Sequence, residues 1–539
     1  MKKILCLLLA LIMVLGLAAC GAKDTAEDTK PAEDSKPADD AGNDVADDTQ
    51  DPNREATVVF MTRGNQNSLY YDEIKAGIEK YVKDTYNLNF ELKLYADYFT
   101  DAATPLSTGE GWDIAFINGT QFLANVGRNL FLPLDDYLAA GKVPTAQEVL
   151  PEDIWNAGKF GGKTYGLFPT KDFGAVWNML ANVEKVAELE AEGIKFPEDW
   201  RNYNDVRDYI WEAGEKWLEL HPGEETYAPF PDNYYCPAIA TYDALLLDDY
   251  VFGPIAAVNV TGLDGFNEIA ADTIYTPILT EQYKEVLLDR IALYEAGITF
   301  AEQYPEGSGS FPAFGEGNFV MFQGTQGFIA FAPDSYEGFT TELKSASEGL
   351  IYTGYVHAGF WVVNANTADP ERVLDFAEAL YADETLCTMM RFGLEGDDWT
   401  DTNNDGVVEF EGTRNENPSE RSWYYWYGFE KACLMTGKIA SGNGATNTEF
   451  QDNMWAANDA MTVSQAVGFV VDSTNIVNEM TALTAVQQKY VRQLQYCAEI
   501  GGADAAVAML DNIKTELEAA GLEKVIAEVQ AQYDAFIGK

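Results

Sequence analysis

Three short apolar runs, joined by one helical stretch and by polar turns, limit what this chain can fold into more than any other feature of its sequence. Ala56-Thr-Val-Val-Phe-Met61 reads as a buried strand and is followed by a polar loop from Thr62 to Ser68. Between Tyr71 and Tyr81 the apolar period changes, with Ile74, Ile78 and Tyr81 at helical spacing, and Asn89 to Tyr95 returns to a strand pattern. A third strand, Trp112-Asp-Ile-Ala-Phe-Ile117, stops at the polar turn Asn118-Gly-Thr-Gln121. Strand, helix and strand in succession predict a parallel sheet in an α/β architecture. Open sheets of this kind bind ligands outside the carboxyl ends of their strands, so the loops after these runs are where a site is expected.

The residues ahead of this body carry a different signal. Lys2 and Lys3 precede an apolar run, Ile4 to Gly16, that is short for a membrane span but right for the core of a signal peptide. The run ends in Leu17-Ala-Ala-Cys20, which resembles the lipobox of bacterial lipoproteins and implies cleavage before Cys20 and lipidation of its thiol. Residues 21–56 are rich in Asp, Glu, Ala, Thr and Pro and nearly free of large apolar groups, so they predict an unordered acidic tether. The chain is therefore expected on the extracellular face of the cell membrane, touching it through lipid alone.

At 539 residues, 47% of them hydrophobic, the body is too long for one core and predicts two or more lobes. A formal net charge of -52 excludes nucleic acid as a partner, because phosphates would be repelled. It also excludes attachment to anionic lipid through a basic patch. His221 and His357 are the two histidines, too few for a His-rich metal centre. Cys236, Cys387, Cys433 and Cys497 are scattered without CxxC spacing, and buried free thiols are the expected state in a body of this size.

Further along, Gly161 to Pro169 reads as a hairpin and a strand, Phe314 to Phe322 as a strand stopping at Gln323-Gly-Thr-Gln326, and His357 to Asn364 as another strand. Asp369 is positioned to cap a helix that starts with Pro370 and runs through Tyr381. From Asn475 to Lys539 two or three amphipathic helices are broken at Gly501-Gly502 and Gly521.

Taken in order, the lipobox, Gly111-Trp-Asp-Ile-Ala-Phe-Ile117, Phe131-Leu-Pro-Leu-Asp-Asp-Tyr137, Gly162-Lys-Thr-Tyr-Gly166 and Gly317-Asn-Phe-Val-Met-Phe322 resemble the family 1 extracellular solute-binding proteins, the carbohydrate receptors of ABC importers. Pro370 to Tyr381, Phe392-Gly-Leu-Glu-Gly396 and Ala520 to Tyr533 are similar to the lipoprotein branch of oligosaccharide or aldouronate receptors. The resemblance implies a two-lobed, periplasmic-binding-protein-like fold of type II, with the ligand in a cleft between the lobes and a helical C-terminal region. It implies the permease of an ABC importer and its ATPase as partners, and no catalysis. Crossings between lobes would fall near Phe168 to Phe173, Gln323 to Gln326 and His357 to Asn364. Lobe one would hold residues 57–170 and 324–360, and lobe two residues 171–323 and 361–539, behind the signal peptide 1–20 and the tether 21–56.

A sugar presents hydroxyls at its rim and C–H faces above and below the ring, which calls for planar polar side chains and aromatic platforms. Arg63, Asn65 and Gln66 after the first strand, Asn118 and Gln121 after the third, Lys171 and Asp172 at the first crossing, and Gln323 and Gln326 at the second supply the polar groups. His357 is a further candidate, and Trp361, Trp423 and Trp426 are the stacking candidates, each with the alternative of a place in the core. The same fold binding a peptide or an acidic sugar is an alternative; an acidic ligand would need a basic residue in the cleft, for which Arg63, Lys171 and Arg391 are the candidates. A secreted glycan-degrading enzyme using two carboxylates is the competing function.

Asp401, Asn403, Asp405 and Glu409 match positions 1, 3, 5 and 9 of an EF-hand-like calcium loop, with Gly406 at position 6. Position 12 is Gly412, where a bidentate Glu is expected, and the reading preferred is a hairpin turned by Asn404-Asp-Gly406, with no cofactor.

Overall fold

The computed structural model describes residues 51–64, 69–95, 98–200, 203–223, 241–249, 251–263, 267–299, 320–326, 335–336, 338–345, 349–417, 436–439 and 446–539. Strand β1 (Ala56–Arg63) buries Val58, Phe60, Met61 and Thr62, and pairs in parallel with β2 (Leu88–Tyr95) over its whole length, from Ala56 opposite Leu88 to Arg63 opposite Tyr95. Helix α1 (Tyr71–Tyr86) returns the chain between them. Ile74, Ile78 and Val82, four residues apart, form its buried stripe, and Asn87 ends it in the left-handed region at φ 53°. Strand β3 (Ile114–Ile117) lies parallel to β1 on the other side. Phe360–Val363 runs antiparallel to β3, and Gly166–Leu167 antiparallel to that strand. The described sheet thus has the order Leu88–Tyr95, Ala56–Arg63, Ile114–Ile117, Phe360–Val363, Gly166–Leu167.

Residues 52–56, expected in the tether, belong to the body. Arg54 clasps the Asp369 carboxylate through Nε at 2.8 Å, Arg372 donates to the Pro52 carbonyl at 2.8 Å, and Asn87 donates to the Asn53 carbonyl at 2.9 Å. Asp369 also caps the helix Pro370–Ala382 through its carboxylate and the Arg372 amide. This second use of Asp369 is invisible to local sequence pattern, because Arg54 lies 315 residues away.

Two large apolar cores account for the lobes. One gathers Val58 to Phe173, Ile351 to Met390, Met461 and Val467; the other gathers Met179 to Val320 and Ala466 to Tyr533. The expected boundaries are corrected accordingly. Residues from Trp361 to Met390 join the first core, and Phe173 and the adjoining Lys171 side with it through Asn458. The strand Met321–Gln326 pairs with Trp177–Asn182, as does Phe339–Ser345, and Met179 and Ala181 of that middle strand lie in the second core. Gln323 to Gln326 is therefore inside a sheet and not a crossing.

Among the described residues the chain passes between the cores at three places, Phe168 to Met179, Leu350 to Val356 and Met461 to Phe469. They are laced together. Ala175 and Leu350 exchange both backbone hydrogen bonds at 2.9 Å, Thr462 N–H donates to Gly349 at 2.9 Å and Ser464 N–H to Ile351 at 2.8 Å. Gly174 makes this approach possible: a β-carbon there would stand 2.6 Å from the Leu350 carbonyl oxygen and 2.4 Å from the Met461 sulfur. The third expected crossing falls a few residues before His357, which ends the helix Thr353–Val356, and the strand that follows, Phe360–Val363, is wholly within the first lobe.

The C-terminal helices are Val477–Gln495, Cys497–Ile500, Ala503–Ala519 and Leu522–Phe536, with Gly501, Gly502 and Gly521 at positive φ between them. Cys387 and Cys497 are buried; Cys236 and Cys433 lie outside the described residues. No helix among the described residues is long and apolar enough to cross a membrane.

Candidate functional site

The carboxyl ends of β1 and β3 carry Arg63, half-buried, and Asn118. Asn65 and Gln66 lie outside the described residues. The polar turn expected at Asn118 to Gln121 is instead the start of a helix, Gly119–Val126. Asn118 Oδ1 accepts from the Gln121 amide at 3.0 Å, and Gln121 Oε1 accepts from the Asn118 amide at 3.3 Å. Two oxygens read as ligand contacts thus close a capping box, which satisfies amide groups that the helix start would leave without partners. Among the described residues Gln121 Nε2 has no hydrogen-bond partner.

The first crossing is the most heavily bonded polar stretch of the candidate site. The buried Lys171 ammonium donates to the Tyr355 carbonyl at 2.9 Å and stands 4.7 Å from the centre of the Tyr355 ring. Tyr355 in turn donates its hydroxyl to Asp172 Oδ2 at 2.8 Å. Burial, reinforced by the Asp172 charge, pushes the Tyr355 phenol well above its usual range, so it stays a donor. Asn458 fixes the backbone from the other side, accepting from the Phe173 amide at 2.9 Å and donating to the Lys171 carbonyl at 3.0 Å. Thr170 and Thr436 join hydroxyl to hydroxyl at 3.3 Å. Two crossings are thereby tied into one unit that places Asp172, Tyr352 and Tyr355 together, the two tyrosine rings 6.0 Å apart. Sequence reasoning missed Tyr352, Tyr355 and Asn458. The available signal was the three-residue spacing of the tyrosines, which puts them on one side of the short helix Thr353–Val356 and its cap.

His357 and Trp361 are not on a ligand face. His357 Nε2 donates to the Ala157 carbonyl at 2.7 Å, and the ring stacks with Phe168 and meets Phe122 edge-on. Burial, with the Lys171 charge nearby, drives the imidazole down to about 4, so it is neutral at physiological pH. Trp361 is fully buried on its strand between Phe116 and Leu167, with its indole edge-to-face against Tyr381 at 5.5 Å. The expected platform is a core residue, because the strand carrying it is covered on both faces. Gln323 and Gln326 lie on the strand Met321–Gln326, and Trp423 and Trp426 lie outside the described residues. Of the cations considered for an acidic ligand, Arg391 is buried, donating to the Lys438 carbonyl at 3.3 Å and standing 4.7 Å from the Phe392 ring.

In the loop that begins at Asp401, the oxygens turn to the chain itself. Asp401 accepts from the amides of Asp405 and Gly406 at 3.1 Å each, Asp405 from Val407 at 2.8 Å and from Asn403 Nδ2 at 2.9 Å, and Glu409 from the Thr402 hydroxyl at 2.6 Å. Asn404 and Gly406 take positive φ, 57° and 81°, and Thr400 bridges Glu409 in antiparallel fashion. Among the described residues no group of three or more His, Cys, Asp or Glu side chains is arranged to hold a metal ion.

Residues 465–538 match a family described as a domain of unknown function, DUF3502. No curated protein matches the chain by sequence. Among solved structures, the N-glycan transport solute binding protein NgtS of Streptococcus pneumoniae is similar over 90% of this chain and 99% of its own, with a TM-score of 0.65 at 15% identity. The same protein in complex with Man1GlcNAc aligns over 90% and 100%, with a TM-score of 0.63 at 16% identity. A human-milk-oligosaccharide-binding, ABC-transporter-associated solute binding protein of Bifidobacterium longum infantis aligns over 89% and 98%, with a TM-score of 0.51 at 14% identity. The fold is that of the two-lobed solute-binding proteins.

Proposed function

We propose that this chain is the substrate-binding component of a carbohydrate ABC importer, that its ligand is an oligosaccharide, and that it performs no catalysis. The observation that carries this reading is the pair of separate cores joined by three laced crossings, an arrangement that lets two lobes approach across a shared floor, in a fold like that of proteins whose names refer to N-glycan and milk-oligosaccharide binding. To the ligand we assign the Tyr355 ring as an aromatic face and Asp172, whose Oδ2 also accepts the Tyr355 hydroxyl, as a planar acceptor, the two things a sugar requires. Arg63, Asn65, Gln66, Trp423 and Trp426 are the further contacts we assign, with Asn118 and Gln121 acting through the helix they cap.

A thermal-shift series with neutral oligosaccharides and uronates tests this reading. A true ligand at about a hundred times its dissociation constant stabilises the protein by about 2.7 kcal/mol. Failure of every glycan to shift the melting temperature, or cleavage of a glycan in the same samples, would overturn it, the latter in favour of the two-carboxylate enzyme.

Cys20 we assign as the lipid anchor, with the first twenty residues as its signal peptide and a permease and ATPase as partners at the membrane. Each acyl chain contributes roughly 0.8 kcal/mol per buried methylene, so two or three chains hold the protein firmly. Cys20→Ser should therefore release it into the medium with unchanged ligand affinity. Retention of that variant in the membrane fraction would rule the anchor out.

A further inference from the structure

We propose that the loop from Asp401 to Gly412 is built around the ammonium of Lys438 in the place where its sequence pattern calls for a divalent cation. Lys438 Nζ lies 2.8 Å from Asp401 Oδ2 and 3.3 Å from Glu384 Oε1, and the Asp401 side chain is only 3% exposed. A carboxylate that deep needs a counter-charge, and this chain delivers one from 37 residues away. The delivery is rigid. Lys438 N–H donates to Thr388 Oγ1 at 3.0 Å, Ile439 N–H to the Gly406 carbonyl at 3.1 Å, and Val408 N–H to the Ile439 carbonyl at 2.7 Å. Gly437 sits so close to the helix Glu384–Phe392 that a β-carbon would stand 3.0 Å from the Thr388 nitrogen.

The donor set does not fit calcium, which takes six to eight oxygens, in such loops with a bidentate carboxylate at position 12. Here position 12 is Gly412 at φ 73°, Glu409 turns to Thr402, and Asp405 faces an amide nitrogen of Asn403. A doubly charged ion at Asp401 would have to expel an ammonium that the backbone holds in position. The consequence reaches the crossings, because Thr436, two residues before Lys438, carries the hydroxyl that meets Thr170. The Asp401–Lys438 pair thus fixes the segment that buttresses the first crossing, independently of the ionic composition outside the cell.

The test follows the melting temperature of the full chain in chelator and in millimolar calcium chloride, for the wild type, Asp401→Asn, Lys438→Met, Lys438→Arg and the double variant Asp401→Asn with Lys438→Met. The wild type should melt at one temperature in both solutions, Lys438→Met several degrees lower, and Lys438→Arg in between. The double variant should lose less than the sum of its single changes, as coupled partners do. A wild-type melting temperature that falls on chelation and returns with calcium would overturn the proposal, and so would a Lys438→Met protein as stable as the wild type. Should Lys438→Met fail to fold, the wild type in chelator and the Arg variant still decide.

Discussion

Trp361→Ala is expected to lower stability by about 3–5 kcal/mol, the usual effect of emptying a large aromatic site in a core. The indole is fully buried in the middle of the first lobe's sheet, flanked by strands on both sides and packed against Tyr381, so no neighbour is free to collapse into the space. Its Nε1–H is buried and has no hydrogen-bond partner among the described residues. Trp361→Phe removes that donor while keeping much of the volume, and should be clearly milder than the Ala change. Urea denaturation of the three proteins measures the difference, and titration with a glycan shows whether the folded variant still binds. An Ala variant of wild-type stability with affinity reduced at least tenfold would return Trp361 to the role of ligand platform.

Asp243→Asn is expected to abolish a pH dependence of stability, and to make the protein more stable than the wild type at neutral pH. Asp243 lies on the strand Tyr242–Leu246 of the second lobe and accepts from the Thr353 amide at 3.0 Å and its hydroxyl at 2.9 Å, where the second crossing enters the first lobe. Complete burial pushes the carboxyl up to about 6, although the Thr353 amide and the Ser464 and Thr353 hydroxyls pull the other way. In the unfolded chain the same group ionises near pH 4. Between these values the folded protein holds a proton that the unfolded chain has lost, so stability falls as pH rises through the window from about 4 to about 6. A window about two pH units wide limits the loss to about 3 kcal/mol.

The local geometry agrees with proton retention. The Thr353 hydroxyl lies 2.9 Å from Asp243 and 3.1 Å from the Ala466 carbonyl but has one proton to give; a protonated Asp243 can donate to it and leave that proton for Ala466. Asn presents the same donor and acceptor at every pH. Chemical denaturation of both proteins at pH 4 to 8 gives the comparison, and parallel curves for the two would sink this account.

Ligand capture as proposed requires crossings that bend without coming apart, and the Asp243–Thr353 tie lies beside them. Gly174 and Gly349 pack there against Met461, a flexible side chain suited to a contact that must tolerate small displacements. The same stretch shows what local pattern can and cannot convey. Ile74 and Ile78 announce their helix by spacing, Asp369 and Pro370 announce theirs by cap chemistry, and Gly501, Gly502 and Gly521 mark the breaks between the C-terminal helices. Each depends on residues within a turn or two of one another. Nothing comparably local tells the apolar run Phe360-Trp-Val-Val363 that it will be covered on both faces, or Asn118 and Gln121 that they will cap a helix instead of facing a ligand.

By itself the sequence determined the strand-helix-strand opening, the capped helix after Asp369 and the helical C-terminus, because period, caps and glycines act over a few residues; the two-lobed solute-binding fold it implied through resemblance to a known family. Only the tertiary structure decided which core Trp361 to Met390 and Met321 to Gln326 join, that Tyr352 and Tyr355 meet Asp172 on the crossings, and that Lys438 neutralises Asp401. Those outcomes depend on desolvation and charge pairing between segments tens to hundreds of residues apart, where the free energy of burial is settled by which surfaces meet and not by the pattern within either one.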